Sequence, residues 1–249
     1  MAHSAIPAGT QPTCLAYLRQ FRRVLRAGTE WRAAIDSLRA TTNDLWLALP
    51  LHEQQRFRRH LQRRWDVLRH RMAPAVAALI QAELAAGTLL LHEGHLHGVA
   101  ALETGTAVVT ARTPHGIESF ETDRVINCTG PSMNYRKVNS PLLQRLFAQG
   151  LISSGPLGGG LNSTRAGAII DAKGNVSDLF FHLGPARLGT LLESIAVPEI
   201  RQQAVELAHL LTDRLTATST GKNLPPTSEP ASKQQPEQTV AQTDPWVAA

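Results

Sequence analysis

Cysteine is nearly absent from this chain: two residues, Cys14 and Cys128, stand far apart in 249. They form neither a disulfide framework nor the paired spacing of a zinc site, so a reducing cytoplasm is the default compartment. Aromatic residues make up only 5% of the chain, against 43% hydrophobic residues overall. A core is therefore expected, built mostly of Leu, Val, Ile and Ala. No apolar run approaches the roughly 20 residues that span a bilayer, so no membrane partner is expected. The opening "MAHSAIPAGTQP" has no basic start followed by an apolar stretch, so it does not read as a signal peptide. Several reaction motifs are missing too: the GxSxG elbow of serine hydrolases, the CxxC redox pair and the Walker A lysine. There is no internal repeat.

What is present is basic. The formal net charge is +5 and the isoelectric point is about 9.8. Much of the excess lies in "RFRRHLQRRWDVLRHR" at 56–71. Such a run permits an anionic partner without demanding one. It is also what a solvated helix face looks like. No aromatic platform or nucleic-acid motif accompanies it, which disfavours nucleic acid.

Apolar periodicity predicts helices over 13–26 and 30–39, linked at Gly28, and a short turn from Asp44 to Leu49 ended by Pro50. From His52 to Met72, the stripe Phe57, Leu61, Trp65, Leu68 and Met72 predicts one continuous helix with a buried face. "AVAALIQAELAAG" predicts another, capped by Gly87. The pattern then changes to short segments rich in Val, Ile and Thr and punctuated by glycine: "TLLLHEG", "LHGVAALETG", "TAVVTARTPHG" and "IESFETDRVINCTG". These predict a β-meander. "GAIIDAKGN" and "DLFFHLG" predict two further strands, and 198–215 an amphipathic helix with Pro198 in its first turn. The fold class expected is α/β, helices first, then strands, then a helix. The expected organisation is a flexible N-terminus (1–12), a helical region (13–86), a β-rich region with a terminal helix (87–215) and a disordered tail (216–249) poor in apolar residues.

Two stretches bear on function. In "VINCTGP", an apolar strand through Val125 and Ile126 is expected to run into a turn at Thr129, Gly130 and Pro131. Ligands of open α/β sheets sit beyond the carboxyl ends of strands, and glycine permits close approach. An ordinary strand end closed by Gly-Pro has the same appearance. In "FFHLGPARLGTLLESIAVPEIRQQA", a strand ends at Gly184 and Pro185, a loop passes Gly189 and Thr190, and a helix follows. That helix N-terminus would stabilise an anion such as a phosphate. "GPLGGGLNS" lacks dinucleotide spacing and a following helix, so it does not read as a phosphate loop. "HEGHLH" offers His92, His95 and His97, but no carboxylate cluster stands near, so no metal site is assigned. Arg69, His70 and Arg71 cluster at the end of the basic run, where they could reach a phosphate or an acidic substrate.

Together, "WRAAIDSLRATTNDLWLAL", "RRHLQRRWDVLRHRMAP", "VINCTGP" and "LGPARLGTLLESIAVPEIRQQA" resemble, in order and spacing, the bacterial FAD/NAD(P)-binding proteins of the YdhS-like type, over residues 15–213. The resemblance implies part of a two-dinucleotide-binding flavoprotein fold. It implies an FAD-dependent oxidoreductase, monooxygenase-like in its relatives, that takes hydride from NAD(P)H. Thr129, Gly130 and Pro131, with Gly184, Pro185, Gly189 and Thr190, would lie against FAD, and no catalytic side chain is assigned. Members of that family begin with a strand and a GxGxxG turn that this sequence does not contain. The resemblance is therefore to the later portion, and a separate chain carrying the other FAD-binding half is the implied partner. The alternative is a non-catalytic remnant or interaction module whose Arg-rich helix meets an acidic partner.

Overall fold

The structure, a computed structural model, describes residues 4–219. It mixes helices with small antiparallel sheets and divides into two compact units, split between Ser132 and Met133. The division does not follow the 86/87 boundary expected from composition. The β-meander belongs with the first unit, and the strands of the second form a separate sheet.

The first unit opens with helices α1 (Cys14–Arg26), α2 (Trp31–Asp36), α3 (Thr42–Ala48), α4 (Leu51–His60), α5 (Gln62–Arg69) and α6 (Pro74–Ala86). α1 starts where Thr13 accepts a hydrogen bond from the Ala16 N–H at 3.2 Å, occupying one of the donors a helix start leaves free. Glu30 does the same for α2, its carboxylate accepting from Arg32 and Ala33. Ala5, Ile6, Ala34 and Leu38 form the buried centre, with Tyr17, Phe21, Val24, Leu25, Leu45 and Trp65 packed around it. Residues 5 and 6 are thus part of the helical core, although the sequence suggested a flexible start.

The long helix expected over 52–72 is two helices meeting at Leu61. The first helix closes with the Leu61 N–H on Phe57 O at 2.7 Å, and the second opens with the Trp65 N–H on Leu61 O at 2.9 Å; Leu61 itself, at φ -119°, belongs to neither. The break lets Phe57 meet Trp46 edge-on, with ring centroids 5.7 Å apart, while Trp65 joins the core. Met72, placed by periodicity on the buried stripe, is exposed. α3 is a full helix where a short turn was expected. α6 ends as anticipated, with Gly87 in the left-handed conformation at φ 73°.

The meander has three strands, β1 (His95–Ala101), β2 (Ala107–Thr113) and β3 (Gly116–Thr122), in the order β1-β2-β3. Register places Val99 opposite Val109 and Val109 opposite Phe120, so the apolar side chains share one face. Two expectations fail here. "TLLLHEG" forms no strand, and Val125–Ile126 lies outside β3, which stops at Thr122. Among the described residues β3 pairs with β2 alone, and the Thr122 hydroxyl turns the chain by accepting from the Arg124 N–H.

The second unit contains α7 (Pro141–Ala148), β4 (Ala168–Ile170), β5 (Val176–Phe181), a 3₁₀ turn (Gly184–Gly189) and α8 (Val197–Ser219). Its centre is Ile152, Leu161 and Ile169, covered by Tyr135, Leu143, Leu146, Phe147 and Ala186. α7 has a Ser140 cap and Pro141 in its first turn. α8 runs on to Ser219, so residues 216–219, assigned to the tail by composition, are helical; the rest of that tail lies outside the described residues. No helix among the described residues is long and apolar enough to cross a membrane.

Candidate functional site

The two turns singled out by sequence fall in different units. In the first, Asn127 organises the turn: its Oδ1 accepts from the Thr129 N–H at 3.0 Å and from the Thr129 hydroxyl at 2.7 Å. Gly130 follows at φ 81°, a conformation that L side chains rarely adopt, with open space where a Cβ would stand. Thr129, Gly130 and Pro131 are all exposed. Ile126, just before them, is 82% exposed. It lines an open groove with Val109, Ala111 and Phe120 on the apolar face of the meander.

In the second unit the turn after β5 is tightly built. Gly184 takes a left-handed φ of 75°. Its N–H donates to Gln203 Oε1 on α8 at 2.9 Å. Its carbonyl accepts from the Ser194 hydroxyl at 2.5 Å. Gln203 Nε2 closes the ring by donating to Ser194 Oγ at 2.9 Å. Ser194 is 0% exposed, so this network holds the turn to α8 out of reach of water. Both polar backbone groups of Gly184 are engaged within the protein.

Gly189 is enclosed by other glycines. A side chain on Gly160 would meet Ala186 O at 2.7 Å and the Gly189 backbone closer still. One on Gly189 would meet Gly159 O at 2.8 Å and also strike Leu161 O. Gly155 and Gly160 of "GPLGGGLNS" therefore serve a crossing of main chains with Gly189. Thr190 is likewise committed: its hydroxyl accepts from the Ser163 N–H at 3.2 Å. Of the four sequence-assigned residues here, Pro185 alone is exposed.

Between these fixed points lie two groups the sequence reading passed over. Arg187 is 3% exposed, and its guanidinium donates to the Arg165 carbonyl. Its Nε is buried and has no hydrogen-bond partner, and the same holds for both ring nitrogens of His182. Burial first, and then the Arg187 charge, push the His182 pKa down to about 4, so the imidazole is neutral at ordinary pH. Burial also lowers the Arg187 pKa, with Glu206 acting in the opposite sense. A neutral imidazole can both donate and accept, and a guanidinium N–H can only donate. Orphaned buried nitrogens are costly and ask for a polar partner. Arg187 was legible as the one charge in "GPARLG". Gln203 was legible as a polar residue between Ile200 and Leu207 on the apolar stripe of α8.

The three residues of the basic trio stand in different surroundings. Arg69 is buried. Arg71 pairs with Asp36 at 2.7 Å and lies 5.8 Å over the Trp31 ring. That hydrogen bond, ahead of the nearby arginine charges, holds the Asp36 carboxyl below its ordinary range. His70 alone is exposed. His92 packs on Phe120 with ring centroids 4.6 Å apart. A register shift interrupts β1 between Leu96 and Gly98, at His97. Among the described residues no three His, Cys, Asp or Glu side chains gather as a metal site.

No family model, curated protein or solved structure matches this chain.

Proposed function

We propose that this chain is the later portion of an FAD-dependent NAD(P)H oxidoreductase, monooxygenase-like in type, completed by a partner chain that carries the other FAD-binding half. The order and spacing of "VINCTGP" and "LGPARLGTLLESIAVPEIRQQA" support the reading. The observation that carries it is the turn at Gly184–Gly189. Its buried Arg187 Nε and His182 ring nitrogens lack partners, as donors and acceptors awaiting an oxygen- or nitrogen-rich ring would.

The fit is uneven around that turn. Arg187 and His182 suit a polar group. Pro185 offers surface. Gly184 is committed to Gln203 and Ser194, and Gly189 to the glycine crossing, so these two shape the site without touching the cofactor. FAD, when bound, supplies the hydride acceptance. The protein's part is to bind and orient. Arg187 would donate an N–H to a carbonyl or phosphate oxygen, and neutral His182 would add a second donor or an acceptor. The α8 N-terminus would favour negative charge, an effect that the first-turn Glu199 reduces.

Flavin retention by the chain reconstituted with its partner half tests the assignment. Gly130→Val and Arg187→Gln should each lower retention while the melting transition persists. Retention equal to wild type in both variants would sink it.

A further inference from the structure

Exposed basic charge also gathers on a helix that the density of arginines in the sequence does not single out. Between Cys14 and Met72 stand thirteen arginines against five carboxylates, and the first lysine of the chain is Lys137. In the dense run at 56–71 much of this charge is used internally: Arg56 pairs with Glu53, Arg58 lies over Trp46, Arg69 is buried and Arg71 pairs with Asp36.

On α1 the opposite holds. Arg19, Arg22, Arg23 and Arg26 are spaced i, i+3, i+4 and i+7, so they share one face. All four are exposed. Among the described residues none of the four guanidinium groups has an ion pair, hydrogen bond or ring contact, and α1 has no acidic residue in its first turn. The opposite face is anchored, with Tyr17, Phe21, Val24 and Leu25 in the core and Cys14 bound to α4. The stripe is therefore presented on a rigid support.

Like charges at these spacings repel. Arg23 and Arg26 are offset by the negative end of the helix dipole, since they lie in the last turn. Arg19 and Arg22 have no such compensation. The face also carries an apolar residue: Leu15, one turn before Arg19, is 52% exposed. A phosphate backbone has nothing to bury a leucine against, whereas protein interfaces combine apolar anchors with arginine and avoid lysine.

We propose that the Leu15–Arg26 face of α1 docks an acidic amphipathic helix of a partner protein. Carboxylates one turn apart on that helix would lie opposite Arg19, Arg22, Arg23 and Arg26, and an apolar residue at its end would cover Leu15. The matching rise of the two helices allows several arginine–carboxylate forks at once.

The test uses the full chain and a fluorescein-labelled helical peptide carrying Glu at every i and i+4 position of one face and Leu one turn beyond, followed by anisotropy at two salt concentrations. Saturable, salt-sensitive binding is expected. Charge reversal in Arg19→Glu/Arg22→Glu should weaken it by about tenfold or more, and neutral Arg19→Ala/Arg22→Ala should weaken it less with the helix content unchanged. Leu15→Ser should cost about threefold, and Arg63→Glu/Arg64→Glu on α5 less than about twofold. The proposal is overturned if wild type does not bind the peptide, or if the reversed variant binds it equally. It is also overturned if a nucleic-acid duplex displaces the peptide and depends on the arginines but not on Leu15. Self-association that disappears with the double reversal would assign the face to a second copy instead.

Discussion

Glu53 and Cys14 bind α4 to the start of α1. The Glu53 carboxylate accepts from the Cys14 N–H at 2.7 Å, and the Cys14 thiol donates to the Glu53 carbonyl at 3.1 Å. One side chain thus satisfies a free donor at a helix N-terminus and neutralises part of the dipole there. It also explains why Cys14 is chemically quiet: burial first, and then the Glu53 hydrogen bond, push its pKa up to about 11.

The pH dependence of this contact has a definite sign. The Cys14 backbone N–H is the largest cause holding the Glu53 carboxyl below its ordinary range. Its contribution is present above the ordinary glutamate pKa and is lost as pH falls through the lowered one. Glu53→Gln should therefore reduce the melting temperature of the helical unit near neutral pH and narrow the difference from wild type in acid. Thermal melts followed by helix ellipticity across that range would decide it; a constant difference at every pH would count against the contact.

His182 should make the second unit acid-sensitive. Its pKa in the folded state, about 4, lies below the unfolded value near 6.5. The unfolded chain binds the proton first, so stability is full above about pH 6.5 and falls as pH drops towards 4, with a limiting slope of about 1.4 kcal/mol per pH unit. His182→Asn should flatten that slope in urea titrations of stability against pH. An unchanged slope would mean that His182 is charged in the folded protein.

The glycine crossing makes a paired prediction. Gly160→Ala forces a Cβ against the Gly189 backbone and Ala186 O, and should cost about 4 kcal/mol or more. Gly158→Ala, at φ 81° with open space, should cost only the left-handed penalty of about 1–2 kcal/mol. Equal losses in denaturant unfolding would show that backbone conformation, and not the close approach, sets the requirement for glycine.

Gln203 links α8 to the turn it follows. Gln203→Leu keeps the bulk but orphans the Gly184 N–H, at about 1–3 kcal/mol, and removes one donor from the Ser194 hydroxyl, which still donates to the Gly184 carbonyl. Gln203→Glu keeps the acceptor for Gly184 and should recover part of the loss. Amide exchange at Gly184 is the direct readout: protection in Gln203→Leu equal to wild type would contradict the network.

Much of the fold was legible because local rules governed it. Gly87 stops α6 where the sequence says it should, and the meander hairpins turn at Gly105 and Gly116. Ser140–Pro141 was an equally clear helix start that strand-rich surroundings obscured. The break at Leu61 was not legible, since the apolar stripe continues through it and only the aromatic contacts of Phe57 and Trp65 distinguish one helix from two. Val125 and Ile126 read as a strand because they are β-branched, but a strand also needs a partner, which local composition does not supply. Of the site, Gly184 and Pro185 were visible as a turn. The Gly155, Gly160 and Gly189 crossing and the Ser194–Gln203 pair arise from tertiary approach and had no spacing to announce them. The α1 arginines did have such a spacing, masked by the denser run at 56–71.

The most direct measurement is the visible absorption spectrum of the purified chain after incubation with FAD and gel filtration, alone and with the proposed FAD-binding half. The account predicts a flavin band that co-elutes with the reconstituted pair and is bleached by NAD(P)H, with Arg187→Gln reducing both. A folded pair that elutes without flavin would contradict it.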